Sequence, residues 1–184
     1  MYKAAMPPRL LRCLTLTLAL PAGVSAGDDA VTRSGDVLSY ALPAATLGIE
    51  LARGDRVGAR QFVASFAVTM AVTEVLKRTT RVERPDRSND QSFPSGHASR
   101  AFATATYVHR RHGFADAAAL YGLATYVGYT RVQADRHHWS DVAGSAVVAA
   151  GSSALLVEMK PKTSGLAVSV GTRSVFVQYA VVFR

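Results

Sequence analysis

The chain has 184 residues, of which 49% are hydrophobic and 18% are charged, so it is long enough for one domain with a sizeable core and too apolar for a disordered chain. The formal net charge of +8 favours anionic partners such as phosphates and lipid headgroups, although ordinary surface charge would account for it equally well. No basic run is interleaved with aromatic residues, so we expect no nucleic-acid partner. Nothing in the pattern indicates an oligomeric state.

The first 26 residues have the order of a secretory signal. Three cations and no acidic residue come first, an apolar run follows at 14–21, and small residues end the segment at Ala26. The apolar run is shorter than the roughly 20 residues that span a bilayer, so we expect cleavage rather than an uncleaved anchor. The only cysteine, Cys13, lies in this leader, so the mature chain would form no disulfide. This pattern predicts export to the periplasm or cell envelope.

Apolar periodicity from residue 27 to residue 160 predicts an all-α helical bundle. Residues 27–35 are polar and are expected to be frayed, with Asp36 as the N-cap of the first helix. Pro43 should kink or restart that helix. The predicted helices are 37–52, 57–78, 98–111, 114–129 and 140–158.

Two of these helices are apolar enough to raise the question of a membrane. The stretches 62–76 and 142–157 contain few charges, but both lie near or below the lower limit of about 17 residues for a spanning helix. They fit buried helices of a soluble bundle or short helices of a membrane-embedded one. We therefore expect a soluble or peripheral protein, and a bundle embedded in the membrane remains the open alternative.

Two polar segments separate the helices, and the tail changes period. The loop 79–92 is unusually long for a structureless connection, which is typical of functional loops. The segment 130–139 is a second polar connection, with Ser140 as the cap of the last helix. In the tail, Val, Leu, Tyr and Phe alternate with other residues on both sides of 171–174, which predicts a C-terminal β-hairpin. The expected parts are a signal peptide at 1–26, a helical domain at 27–160 and a hairpin tail at 161–184.

The polar connection contains a histidine and a carboxylate at helical spacing. His137 and Asp141 are four residues apart, so a helical turn would place both on one face. A carboxylate on one imidazole nitrogen fixes the tautomer and leaves the other nitrogen free to attack, which would allow a covalent phosphohistidine route. A His–Asp pair taken alone is more often a surface hydrogen bond.

A second set of residues is suited to holding an anion. Ser95, Gly96 and His97 open a predicted helix, where backbone N–H groups and the helix dipole attract phosphate. Lys77 and Arg84 lie on either side of the start of the long loop, and an arginine fork can bind two phosphate oxygens. Each cation taken alone would be an ordinary solvated side chain, and Pro94-Ser95-Gly96 alone would be a capped turn. Arg131 taken alone would likewise be an ordinary solvated side chain. Arg100 is either a further source of positive field or a surface residue.

The three segments together resemble the phosphatidic acid phosphatase type 2 superfamily, which includes bacterial acid phosphatases and vanadium haloperoxidases. The family's motifs are Lys-x6-Arg-Pro, Pro-Ser-Gly-His and Ser-Arg-x5-His-x3-Asp. They match Lys77 to Pro85, Pro94 to His97 and Thr130 to Asp141 here, with every spacing kept. Thr130 replaces the usual serine, and both residues carry a small hydroxyl group. The resemblance covers about 62–157.

The resemblance implies a role for each matching residue. His137 would be the nucleophile, Asp141 its orienting partner and His97 the general acid. The phosphoryl group would be held by the residues Lys77, Arg84, Ser95, Gly96 and Arg131. The resemblance also implies a helical bundle, with no metal and no cofactor.

These residues predict an exported phosphatase that hydrolyses a phosphate monoester, with a lipid phosphate or a related small phosphate as substrate. The first alternative is a vanadate-dependent haloperoxidase using the same pocket, although such proteins are generally much longer. The second is a non-enzymatic binding protein of the envelope whose tail hairpin assembles on a membrane or partner. Neither the phosphate ester nor the role of the hairpin follows from the sequence.

Overall fold

A computed structural model describes residues 28–160, with side chains from Ala30 onward, and the backbone of two strands further along the chain. The predicted signal peptide lies outside the described residues. The described part contains five helices, which confirms the predicted helical bundle. They are α1 (Asp28–Ala52), α2 (Arg56–Thr80), α3 (Gly96–His112), α4 (Phe114–Gln133) and α5 (Trp139–Leu156).

Helix α3 lies at the centre of the bundle and contacts each of the other four helices. Its inward positions are mostly small, and Ala98, Ala101 and Ala105 are fully buried. Small side chains let neighbouring helices approach closely, so the central helix is packed from every side. The first turn of α3 carries His97, and this packing therefore fixes the backbone beneath that side chain.

Helix α1 begins earlier than the sequence predicted. It starts at Asp28, so Asp36 lies within the helix and the prediction that it is the N-cap is wrong. Pro43 also lies inside the helix, which continues past it to Ala52. The reason is tertiary: α1 packs against α3 and α4, and such packing stabilises a helix whose polar start has little intrinsic helicity.

The two helices that flank the polar connection also have different ends from those predicted. Helix α4 continues through Gln133, so Arg131 lies in its last turn rather than in a loop. Helix α5 is capped by His138 and not by Ser140. The carboxylate of Asp141 accepts the His138 backbone N–H at 2.8 Å, and this capping interaction replaces the predicted helical turn. His137 therefore lies just outside α5.

Helix α2 is longer than the apolar stretch at 62–76 suggested, because helical turns extend it on both sides to 25 residues. Among the described helices it is the one long and apolar enough to cross a membrane by length and composition. Its outward face carries exposed large apolar side chains. These are Val57, Val63, Val68, Val72 and Val75.

Two antiparallel strands follow the bundle in the sequence. Strand β1 (Ser164–Val170) pairs with strand β2 (Val175–Val181), with Val168 opposite Val177. The strands agree with the alternation that predicted a hairpin. The turn at 171–174 lies outside the described residues.

Candidate active site

The predicted nucleophile and its partner meet at the start of α5. His137 Nδ1 lies 3.4 Å from Asp141 Oδ2, at the long end of the hydrogen-bond range. Both side chains are buried, with exposed fractions of 4% for His137 and 0% for Asp141. The same carboxylate oxygen accepts the Ser92 hydroxyl as well as the His138 backbone N–H. The carboxylate is therefore held in place, and Nε2 of His137 is the ring nitrogen that it leaves unengaged.

The charges around this pair favour a neutral imidazole beside an ionised carboxylate. Burial lowers the pKa of His137, and the nearby cations Lys77 and Arg84 lower it further, against the opposing effect of Asp141. Burial tends to raise the pKa of Asp141, but hydrogen bonds from His137, Ser92 and the His138 backbone hold it at about 2. A neutral imidazole has the lone pair that a nucleophile needs.

The Pro-Ser-Gly-His turn lies directly against α5. The Ser95 backbone N–H donates to the Asp141 carbonyl oxygen at 3.2 Å, and the Ser145 hydroxyl donates to the Ser95 carbonyl oxygen at 2.9 Å. Ser95 is buried, and its own hydroxyl has no hydrogen-bond partner within the described part of the chain. A side chain at Gly96 would come within 3.8 Å of Lys77 Cε, so Lys77 passes close over this turn.

The long loop brings a second cation to the same region. Arg84 is half-buried, and its buried Nε has no partner among residues 28–160. This loop is tied to the segment that carries His137, because the Asp86 backbone N–H donates to the Asp135 carbonyl oxygen at 3.1 Å. An ion pair between Asp86 and Arg136, at 3.0 Å, adds a second link. The arrangement keeps Arg84 close to His137.

Arg131 is turned toward α1, which the sequence did not predict. Its Nε donates to the Thr130 hydroxyl, its Nη2 to the Thr32 carbonyl oxygen, and its Nη1 to Asp36 Oδ1 at 2.7 Å. Arginine has five N–H groups, so two remain for another acceptor. That Arg131 holds the phosphoryl group stays a prediction.

Asp36 is a site residue that sequence reasoning missed. Its Oδ1 also lies 3.0 Å from His97 Nε2, so one carboxylate oxygen contacts residues of two different motifs. Burial lowers the pKa of His97 to about 4, with Arg131 and Arg100 acting in the same direction and Asp36 opposing them. No signal in the sequence could have found this contact, since an isolated aspartate before an apolar stretch also suits a helix cap.

Arg100 belongs to the site rather than to the surface. Its guanidinium carbon lies 4.5 Å from the ring centre of Tyr40 on α1, and this ring also packs edge-on against His97. The buried Nη1 of Arg100 has no hydrogen-bond partner in the described region. Of the two interpretations that the sequence allowed, the structure supports the one in which Arg100 adds positive field.

The structure thus gathers the three motifs at one end of the bundle, around the first turn of α3. Three buried donors without a described partner, Ser95 Oγ, Arg84 Nε and Arg100 Nη1, accompany a neutral histidine paired with a carboxylate. Buried unpaired donors cost stability, and an anion of the size of phosphate would satisfy them. The arrangement can bind such an anion and present an imidazole nitrogen to it.

Comparison with known proteins identifies the family. The model of the PAP2 superfamily matches residues 58–164, which is more than half of the chain. The chain belongs to the PAP2 superfamily. The PAP2 match confirms the resemblance drawn from the three motifs, and it begins after α1, so Asp36 and Tyr40 lie outside the matched residues.

Individual PAP2 proteins show how far the similarity extends. The chain is 31% identical over 140 residues to a lipid A 4'-phosphatase of Helicobacter pylori, which covers 70% of each protein. It is 40% identical over 68 residues to a lipid A 1-phosphatase of Porphyromonas gingivalis, but it spans only 15% of that protein. The crystal structure of Aquifex aeolicus LpxE has the same fold, with a TM-score of 0.62 at 20% identity over 74% of this chain and 88% of that one.

Proposed function

We propose that this PAP2 protein is an exported phosphatase that hydrolyses a lipid phosphate monoester through a phosphohistidine, without a metal. The observation that carries the proposal is the set of buried donors without a described partner, Arg84 Nε, Ser95 Oγ and Arg100 Nη1, which accompany the His137–Asp141 pair. Donors of this kind stabilise the charge that spreads over the phosphoryl oxygens in the transition state.

The proposed reaction has two steps. In the first, His137 Nε2 attacks phosphorus, the bond to the alcohol oxygen breaks, and His97 gives its proton to the departing oxygen. In the second, His97 takes a proton from water, and the resulting hydroxide displaces phosphate from His137. Asp141 stabilises the positive charge that forms on His137 during the attack. Lys77, Arg84, Ser95, Gly96 and Arg131 are proposed to hold the phosphoryl oxygens.

Three features support a lipid as the source of the phosphate. The relatives are lipid A phosphatases by name, and α2 carries several exposed valines. Trp139 is 53% exposed at the start of α5, next to the His137 segment. An apolar exterior with an aromatic side chain near the site fits a substrate that is presented at a membrane.

The catalytic test compares two histidine variants of the purified protein. Phosphate release from a long-chain alkyl phosphate in detergent micelles, and from nitrophenyl phosphate, should be lost in His137→Ala. His109→Ala is the matched control, because His109 lies near the opposite end of α3 and contacts Tyr121. Turnover that persists in His137→Ala would eliminate the proposed nucleophile. Halide oxidation dependent on added vanadate would favour the haloperoxidase instead, and failure to hydrolyse any ester would favour a binding protein.

The covalent step has its own test. With nitrophenyl phosphate, whose leaving group needs little protonation, His97→Asn should still form the phosphohistidine but hydrolyse it slowly. An acid-labile phosphorylated protein should therefore accumulate on rapid quenching, and it should be absent from His137→Ala. If no such species forms in His97→Asn while the ester is still hydrolysed, direct attack by water is the better mechanism.

Export is tested separately. N-terminal sequencing of the mature protein should begin at Gly27, and cell fractionation should recover activity from the envelope. Recovery of the intact leader, in a membrane-bound protein, would show an uncleaved anchor.

A further inference from the structure

Helix α1 places one carboxylate between two residues of the candidate site. Asp36 Oδ1 is 2.7 Å from Arg131 Nη1 and 3.0 Å from His97 Nε2. The two partners belong to different motifs, whereas Asp36 belongs to none and precedes the residues that the family model matches. One oxygen of Asp36 therefore links the proposed general acid to a proposed phosphate-binding cation, which indicates a role in the site.

The position of Asp36 is fixed by the packing of α1. The neighbouring Gly35 is buried, and a side chain there would overlap the hydroxyl of Thr130 on α4. Arg131 also donates to the Thr32 carbonyl oxygen, one turn earlier on α1. Because the backbone of α1 is in direct contact with α4, Asp36 is held in place and is not a mobile group that happens to rest on the site.

We propose that Asp36 is a positioning residue for the phosphatase reaction, whose carboxylate aligns Arg131 and orients His97 so that Nδ1 faces the oxygen of the leaving alcohol. This rests on the proposed function of the site. The two site histidines are then held in complementary ways, since Asp141 contacts Nδ1 of His137 and Asp36 contacts Nε2 of His97. Each carboxylate leaves the other ring nitrogen for chemistry.

The charges around His97 define the expected effect of removing the carboxylate. Arg131 and His137 face it from α4 and the following connection, Arg100 from α3, and Tyr40 with Asp36 from α1. Burial, Arg131 and Arg100 all disfavour a proton on His97, and Asp36 opposes them. Asp36→Asn keeps the shape and removes the charge, so protonated His97 becomes less stable. The rate of the acid-assisted step should then decline at a lower pH than in the wild type.

The experiment compares Asp36→Asn, Asp36→Glu and the matched control Asp116→Asn, an exposed acid in the first turn of α4. With an alkyl phosphate, whose leaving group requires an acid, kcat should fall by about 10- to 100-fold in Asp36→Asn, less than the loss of the acid itself would cause, because His97 remains. With nitrophenyl phosphate the fall should be much smaller. Asp36→Glu should recover part of the loss, and Asp116→Asn should match the wild type.

Two readouts separate positioning from other roles. The alkaline limb of the kcat profile should move to lower pH in Asp36→Asn, whereas a loss confined to thermal stability would show a purely structural contact. A lower KM with unchanged kcat would show instead that Asp36 merely blocks the phosphate site. Either result would overturn the proposal.

A measurement without turnover distinguishes this proposal from the proposed function. The His97 imidazole can be titrated by NMR in the wild type and in Asp36→Asn, and the variant should lose the His97 proton at a lower pH. An inactive wild type would refute the phosphatase and with it the positioning role, even if the titration shift remained. An active wild type with unmoved titration and unmoved kcat would refute the role of Asp36 alone.

Discussion

At the scale of single residues, the geometry extends the site beyond the three motifs. Arg100 stands one helical turn after His97, stacks on Tyr40 and keeps one buried nitrogen without a described partner. Nearby Lys77 repels the charge of Arg100. An arginine held beside a second cation, with a buried N–H that has no described partner, is suited to bind an anion when substrate is present.

Replacement of Arg100 should therefore weaken substrate binding. Arg100→Met keeps most of the apolar stem over Tyr40 and removes the charge, so we expect KM for a phosphate monoester to rise by about tenfold, the equivalent of one lost charged hydrogen bond. The inhibition constant of inorganic phosphate should rise in parallel. Arg78→Met is the control, because Arg78 is exposed and pairs with Glu74 one turn away. An unchanged phosphate affinity in Arg100→Met would place Arg100 among the structural residues.

At the scale of the helices, close contact between α1 and α4 determines the site as much as any side chain does. The motif residue Arg131 depends on α1 for two of its three hydrogen-bond partners, Asp36 and the Thr32 carbonyl oxygen. The two helices can approach this closely only with glycine at position 35, because a Cβ there would overlap the Thr130 hydroxyl. Helix α1 is therefore part of the site, although it lies outside the residues matched by the family model.

Two glycines of α1 provide a matched test of this contact. Gly35→Ala should push α1 away from Thr130, destabilise the fold by about 1–3 kcal/mol and reduce activity by more than the loss of folded protein explains. Gly48→Ala has open space around it and should be neutral or stabilising by up to about 1 kcal/mol. Thermal unfolding and kcat of both variants check the prediction. Full activity in a folded Gly35→Ala protein would contradict it.

At the scale of the whole molecule, the two ends of the bundle carry different interactions. The site lies at the N-terminal end of α3, and a buried ion pair lies at the other end, where Arg111 binds Asp55 through two hydrogen bonds of 2.8 and 2.7 Å. Lys160 adds a third contact to the same carboxylate at 3.0 Å. A helix of 17 residues separates the two ends by about 25 Å, so the ion pair supports the fold without touching the chemistry.

Loss of Arg111 should change stability and leave catalysis alone. Arg111→Met removes two hydrogen bonds from the buried Asp55 carboxylate but leaves those from Lys160 and the Gly58 N–H, so the cost should lie below the roughly 3–5 kcal/mol of a fully unpaired charge. Arg78→Met breaks an exposed pair and should cost less still, under about 1 kcal/mol. KM and kcat of the folded fraction should match the wild type. Thermal unfolding at neutral pH measures the difference, and equal stability of the two variants would contradict the prediction.

The same ion pair predicts a pH dependence. The Gly58 backbone N–H and the Arg111 and Lys160 side chains hold the pKa of Asp55 below its usual value. The carboxylate thus stabilises the fold above its unfolded pKa of about 4, and that contribution is lost as the pH falls. Arg111→Met should therefore lose less stability than the wild type on acidification.

Motif spacing and apolar periodicity are local properties of the chain, so the family, the helical bundle and the three motifs could all be predicted from the sequence. The spacing of four residues also predicted that His137 lies beside Asp141. The two side chains do meet, although His137 precedes α5 and Asp141 caps that helix at His138. The boundaries of the helices were less predictable. The predicted α1 begins too late and the predicted α4 ends too early, because packing against α3 extends both helices beyond the segments that have intrinsic helix propensity.

The groups that complete the site could be identified only from the packing of the helices. Asp36 and Arg131 are 95 residues apart, and neither residue type nor spacing relates positions so distant. The same holds for Tyr40 and Arg100, which meet only because α1 crosses the start of α3. Asp36, which the sequence predicted as a helix cap, contacts the site instead, because the helices that pack against a side chain determine its partners.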